Sequence, residues 1–340
     1  MPPPRDNLPK PWRRTPLIHS TTLSKSAGCQ IYLKLENLQP SGSFKSRGIG
    51  NLLLSHLSSL SSPTDREKIH FYSSSGGNAG LACVCAAVSL GSPATIVVPL
   101  STTAFMIEKI REAGAAEIVQ EGTSWYEADA YMREVVIPEA ERRGEKPVYV
   151  PPFDAQEIWD GHATMVPEVL EDLGQAPDVV VCSVGGGGLF TGLMLGREQA
   201  KEKGEGIKVL AVETEGADSL ALSLKEGKLS TLPAITSIAT TLGARTVAKQ
   251  AYEYAKSDAV KSVVLKDREA MEGCVRFADD ERIMVEASCG VSLALCYGRK
   301  LRQVMPELTE ASKVVIVVCG GKNVTTNMLQ TWNEQLKQPA

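Results

Sequence analysis

The sequence predicts an α/β protein built on open, mostly parallel sheets, and three features carry that prediction. Runs such as 179–184 (VVVCSV) and 314–318 (VVIVV) are apolar at nearly every position, as strands buried on both faces of a parallel sheet are. Segments of helical length separate these runs. Several runs end in a small-residue loop that leads into a helix, the place where open α/β sheets bind ligands.

In chain order, strands are expected at 31–35, 69–73, 95–99, 117–120, 148–150, 179–184, 209–213, 262–265 and 314–318. Helices are expected at 78–90, 102–113, 125–143, 156–173 and 288–301. The Ser/Leu/Pro stretch 55–63 reads as a surface loop, and no internal repeat is present. With 340 residues the chain is roughly two domains long and can bury a core without disulfides or a structural metal.

Composition narrows the function. Apolar residues make up 43% and charged residues 22%, an ordinary soluble balance. A net charge of −4 with no basic run argues against nucleic acid as a partner. No apolar stretch approaches the ~20 residues of a membrane helix. Residues 1–15 hold prolines and basic residues but no apolar signal core, so they read as an extended arm on a cytosolic protein. The eight cysteines form no C-x-x-C pair and mostly sit in apolar runs, as reduced buried thiols do. Four histidines without H-E-x-x-H or a Cys/His cluster argue against zinc. The lack of G-x-S-x-G argues against an α/β-hydrolase.

The chemistry should lie in the loops that follow strands. Ser41-Gly42-Ser43-Phe44-Lys45-Ser46-Arg47-Gly48 puts a lysine beside an aromatic ring at a helix start. Such a lysine is either a solvated surface charge or an amine held for Schiff-base chemistry next to a flat ring. Ser74-Ser75-Gly76-Gly77-Asn78-Ala79-Gly80 is either a turn capped by Asn78 or a nest of helix-start amides for a substrate carboxylate. Gly185-Gly186-Gly187-Gly188-Leu189 is entropically costly as a mere bend and suits a phosphate. Its register fits neither G-x-G-x-x-G nor G-x-x-x-x-G-K-[ST], so a dinucleotide or a nucleoside triphosphate is disfavoured. Cys319 ends a buried run, as a core hydrophobe or as a weak hydrogen-bond partner. Glu213-Thr214-Glu215-Gly216-Ala217-Asp218-Ser219 is a solvated acidic loop or a hard-cation site.

Together these loops resemble the fold-type II pyridoxal-phosphate (PLP) enzymes, the tryptophan synthase β-like family. Within it the chain is most similar to the L-serine dehydratase / L-threonine deaminase group. The matching motifs are KLENLQPSGSFKSRG (34–48), SSSGGNAG (73–80), PPFD (151–154), SVGGGGL (183–189), ETEGADS (213–219) and VCGG (318–321). The resemblance implies two α/β domains with the cofactor in the cleft between them. A large domain would comprise 1–39 and 147–340, and a small one, 40–146, would close over substrate. It implies Lys45 as the Schiff-base lysine and Phe44 on one ring face. Asn78 would sit at the cofactor's 3′ oxygen, with Ser75, Gly76 and Ala79 around the substrate carboxylate. Gly185, Gly186, Gly187, Gly188 and Leu189 would hold the phosphate, and Cys319 would sit at the pyridine nitrogen. Glu213, Ala217 and Ser219 with carbonyls of Leu242 and Ala244 would hold a monovalent cation, potassium, since related racemases carry an Asp where Ser219 stands. Thr241 aligns where close dehydratases have a small Ala on the other ring face. Gly76 replaces the serine that racemase-like members use as a second base, which favours elimination.

The implied reaction is β-elimination of L-serine to pyruvate and ammonia, and of L-threonine to 2-oxobutanoate and ammonia. Alternatives are another fold-type II reaction, such as serine racemisation or threonine synthesis, or a non-catalytic PLP-binding amino-acid sensor. A homodimer is implied. No C-terminal regulatory domain is expected, because 19 residues follow Gly321.

Overall fold

A computed structural model describes residues 8–338, so positions 1–7 of the expected arm lie outside it. The chain divides into two compact units. One takes in the described residues up to Arg13 together with Gln39–Gly161, the other Arg14–Leu38 and the chain from His162 onward. The sequence reading cut the chain at 39/40 and 146/147. The smaller unit runs further because β6 below completes its sheet. Gly161 also packs on it so closely that a Cβ there would stand 2.4 Å from the Arg47 carbonyl oxygen.

Among the described residues, ten strands form two sheets. The strands are β1 (Leu17–Ser20), β2 (Gln30–Lys34), β3 (Ile69–Ser73), β4 (Ala94–Val98), β5 (Glu117–Gln120), β6 (Lys146–Tyr149), β7 (Val179–Ser183), β8 (Lys208–Thr214), β9 (Val260–Leu265) and β10 (Lys313–Val317). The larger unit has a six-stranded sheet ordered β1-β2-β10-β7-β8-β9, parallel except for β1. The smaller has an all-parallel sheet ordered β5-β4-β3-β6. β4 and β7 are buried at every position, as their unbroken apolar runs require.

Each of these orders contains one reversal, the feature at which open α/β sheets generally bind ligands. In the smaller sheet the chain moves from β3 outward to β4 and β5, then returns to lay β6 on the other side of β3. In the larger sheet it moves from β7 to β8 and β9, and β10 returns to the other side of β7. Each reversal is a topological switch point, where loops leaving two adjacent strand ends diverge and open a crevice. The loops at the first are Ser74–Gly77 and 150–154; at the second they are 184–187 and 318–321.

Several elements differ from expectation. The short antiparallel edge strand β1 was not anticipated, because LIHS is too short and too mixed to carry a period. The stretch 55–63 is not all loop: the helix Lys45–Ser59 runs through half of it, because Leu53 and Leu57 are buried in the small unit's core. The expected helix 125–143 is Trp125–Tyr131, a π-turn Met132–Val136 and Ile137–Arg142. Pro138 has no N–H to give the carbonyl four residues back, and the wide turn absorbs the misfit. The segment 156–173 breaks at Thr164 into Gln156–Ala163 and Met165–Leu173, for Pro167 crowds the carbonyl of Ala163. The expected helix 288–301 stops at Ala294, and left-handed Gly298 and Arg299 precede a separate helix Lys300–Val304.

Among the described residues no helix is long and apolar enough to cross a membrane.

Candidate active site

In the smaller unit, Lys45 opens the helix Lys45–Ser59 directly after Phe44. Its Nζ donates to the Pro152 carbonyl at 2.5 Å and lies 5.3 Å from the Phe44 ring centroid. Pro152 belongs to the loop leaving β6, so the amine is held at the switch point. At the β3 end, Ser75 Oγ accepts from the Gly77 N–H at 3.3 Å. Asn78 is the first residue of the twelve-residue helix Asn78–Ser89, and its N-cap position is Gly77, without a side-chain cap. The capping alternative for Asn78 therefore fails, and its half-buried side chain starts the helix rather than closing it. Amides at such a start have no intrahelical partner and face an anion.

Glycines fix this loop sterically. A Cβ at Gly80 would stand 1.8 Å from the Ser75 carbonyl oxygen. At Gly76 it would stand 2.7 Å from Thr102 Cγ2, so Thr102 fills the space a side chain at 76 needs. Ala79 is buried.

In the larger unit, Gly185 follows β7 so tightly against the turn at Leu242 that a Cβ would lie 2.8 Å from the Leu242 Cα. Gly187 caps the helix Gly188–Gln199 at φ +89°, a conformation open to glycine. The Gly186 carbonyl accepts from the Ala248 N–H at 3.0 Å, and helical bonding starts with Thr191 N–H to the Gly187 carbonyl at 2.8 Å. The amides of Gly188, Leu189 and Phe190 precede that bond and are positioned for an anion.

Cys319, in the adjoining β10 loop, is buried and donates to the Val317 carbonyl at 3.5 Å. Its hydrogen bond with Cys289 and its burial push the thiol well above its ordinary value, so it is a neutral donor. Thr241 donates to Glu286 Oε2 at 2.7 Å and lies 2.6 Å from Ser288 Oγ. Glu286, which sequence reasoning missed, is buried and also accepts from the Asn323 N–H at 2.7 Å. It lies against Gly321, where a Cβ would be 2.2 Å from its carboxyl carbon. The glycine pair after β10 was the available signal that a side chain presses on this loop.

Glu213, Ala217 and Ser219 share one turn. Glu213 is buried and accepts from the Leu220 and Ala221 N–H groups, each at 2.9 Å. Burial pushes its carboxyl up to about 8 despite those two donors. Ser219 Oγ is buried with no hydrogen-bond partner among the described residues. Leu242 and Ala244 lie in the turn that backs onto Gly185, bonded Ala244 N–H to Leu242 carbonyl at 2.7 Å. Among the described residues no group of three or more His, Cys, Asp or Glu side chains is placed to hold a metal ion.

Each unit thus carries a feature that PLP chemistry uses: in the smaller a lysine amine beside an aromatic ring, and in the larger a glycine nest with a neutral thiol nearby. The chain belongs to the family described as pyridoxal-phosphate dependent enzyme, whose model matches residues 8–320. It is 42% identical over 322 residues to an L-serine dehydratase of Saccharomyces cerevisiae (strain AWRI1631), covering 92% of this chain and 94% of that one. An L-serine dehydratase/L-threonine deaminase of Bos taurus is 42% identical over 325 residues, covering 95% of each. The crystal structure of a fungal L-serine ammonia-lyase from Rhizomucor miehei superposes with a TM-score of 0.86 at 34% identity, covering 96% of this chain and 99% of that one.

Proposed function

We propose that this chain is a PLP-dependent ammonia-lyase that dehydrates L-serine to pyruvate and ammonia, and acts likewise on L-threonine to give 2-oxobutanoate. The observation that carries the reading is the Lys45 amine on the Pro152 carbonyl, beside Phe44 and at the β3–β6 switch point. The residues fit the cofactor: a Cβ at Gly185 or Gly187 would invade neighbouring atoms, and the start of the helix Gly188–Gln199 offers amides to a phosphate. When bound, PLP supplies the electron sink that makes the substrate's Cα–H acidic.

The chain's own groups do the rest. Lys45 Nζ would anchor the cofactor, and the same amine is the base that would take a substrate's Cα proton. Phe44 would hold one face of the ring and Thr241, its hydroxyl tied to Glu286, the other. Asn78 would bond the 3′ oxygen, and the Ser75, Gly76 and Ala79 segment at the helix start would receive the substrate carboxylate. Gly185–Leu189 holds the phosphate. Cys319, a neutral thiol, would serve the ring nitrogen, and as a weaker partner than a carboxylate it would favour elimination over side reactions. The substrate loses its Cα proton and β-hydroxyl as water, and the enamine released is hydrolysed to the 2-oxo acid and ammonia.

Glu213, Ala217, Ser219 and the carbonyls of Leu242 and Ala244 would hold potassium, which would supply the positive charge that a buried carboxylate lacks. The unpartnered Ser219 Oγ supports this. We read the protein as a cytosolic homodimer. Its eight free cysteines, seven of them buried, suit a reducing compartment.

The test is a titration of the purified protein with L-serine, following the cofactor absorption band and pyruvate release together. A band that shifts as pyruvate appears supports the reading. Lys45→Ala abolishes both signals, and an active Lys45→Ala protein overturns it.

A further inference from the structure

The helix Trp125–Tyr131 carries no residue that the site above uses, yet it buries a carboxyl group. Asp129 is 4% exposed. Its Oδ1 accepts from Ser74 Oγ at 2.7 Å and from the Tyr149 hydroxyl at 3.0 Å, and its Oδ2 accepts from Arg133 Nε at 2.8 Å. A helix that only covered a sheet face would be better served by an apolar residue, because a buried carboxyl demands donors. The rest of this contact is apolar: Tyr72, Val97, Ala128, Met132, Val136 and Ala140 pack together.

The identity of the donors is informative. Ser74 is the first residue after β3, directly before Ser75 and Gly76. Tyr149 is the last residue of β6, three before Pro152, whose carbonyl holds the Lys45 amine. One carboxyl group therefore fastens both strand ends of the switch point. Burial and the charge of Asp129 push the Tyr149 phenol well above its usual value, so it remains a donor throughout the working range. On the loop's other side the Ser75 carbonyl rests on Gly80, which leaves no room for a side chain. The glycine-containing loop, intrinsically free, is thus pinned from both sides.

We propose that Asp129 is a positioning residue for the proposed reaction, setting the pose of the substrate-carboxylate loop through Ser74 and that of the lysine-holding loop through Tyr149. The inference rests on that reading of the site. Its first test is hydrogen exchange in the cofactor-free protein. Ser74→Ala leaves Asp129 bonded to Tyr149 and Arg133, and exchange is expected to speed up in 74–80 alone. Tyr149→Phe speeds it in 149–154 alone, and Asp129→Asn in both. The second test is turnover of L-serine by the holoenzyme. Ser74→Ala raises KM about tenfold with kcat within about twofold, as loss of ground-state positioning does, whereas Tyr149→Phe lowers kcat. Unchanged exchange in both segments overturns the proposal, as does uniformly faster exchange with KM and kcat untouched. A wild-type protein that takes up PLP but releases no pyruvate overturns the proposed function instead, a result that needs no variant and leaves the exchange pattern to judge the anchor.

Discussion

Two glycines four residues apart should respond to alanine in opposite ways. Gly80 lies inside the helix Asn78–Ser89, where alanine is normally favoured by about 1 kcal/mol. Its Cβ would stand 1.8 Å from the Ser75 carbonyl oxygen and 3.0 Å from the Ser75 carbonyl carbon. Ordinary contact is about 3.5 Å, so loop or helix must move by roughly 1.5 Å, and the obstacle is backbone with no rotamer to change. Overpacking typically costs about 1–3 kcal/mol where side chains can yield, so Gly80→Ala should cost about 3 kcal/mol or more in spite of its helix propensity. At Gly76 the obstacle is the Thr102 side chain, at 2.7 and 2.8 Å, which can rotate. There the unfolded-state gain of about 0.4–1 kcal/mol offsets much of a 1–2 kcal/mol clash, and the net change stays within about 1 kcal/mol. Thr102→Ala added to Gly76→Ala should recover the difference, while no side-chain change rescues Gly80→Ala. Denaturant unfolding of the cofactor-free protein reads this by tryptophan fluorescence, since Trp12, Trp125 and Trp159 all lie in the smaller unit and only Trp332 lies outside it. Equal midpoints for the two single variants, or a Gly80→Ala protein as stable as wild type, would refute the geometry.

Two further perturbations test other parts of the molecule. Burial lowers the pKa of His70 even though Glu145 lies 2.9 Å away. A histidine held low adds stability that is complete above its unfolded value of about 6.5 and is lost as pH falls through its folded one. The denaturation midpoint should therefore drop between pH 7.5 and 5 and drop less in His70→Gln; an identical slope in the two proteins would show that His70 plays no part. At constant ionic strength, potassium should raise the thermal midpoint by about 2–4 °C over tetramethylammonium, a gain near 1 kcal/mol. Glu213→Gln should remove that difference, and a potassium effect that survives the substitution would place the cation elsewhere.

What was legible in the sequence is what local chemistry dictates. Near-continuous Val/Ile runs read as strands buried on both faces, and those at β4, β7 and β10 lie within a residue of their observed bounds. The glycines of 76–80 and 185–188 were legible because close backbone approach excludes other residues. Chain-order reasoning could not supply strand order, and strand order brings the glycine loop and the Cys319 loop to one switch point. Nor could it find Asp129, since an acid in WYEADAY reads as the wet face of an amphipathic helix until Ser74 and Tyr149 arrive from 55 and 20 residues away. Pro138 and Pro167 stand inside the expected helices 125–143 and 156–173, and the observed interruptions fall beside them because proline cannot continue the helical bonding.

Glu286 raises a further question about the ring nitrogen, because a buried carboxyl beside the β10 loop could have taken the place given to Cys319. Its acceptors are committed within the protein. Oε2 receives Thr241 Oγ1 at 2.7 Å and Ser288 Oγ at 3.2 Å, and Oε1 receives the Asn323 N–H at 2.7 Å. Gly321, at φ +104°, lets the chain fold directly over the carboxyl group. The carboxyl group therefore braces the turn that carries Thr241 and the loop after β10 that carries the neutral Cys319 thiol. Such a division keeps strong negative charge off the position assigned to the ring nitrogen and still uses it to hold both walls in place. In the proposed reaction, a neutral donor at that position would favour elimination over transamination.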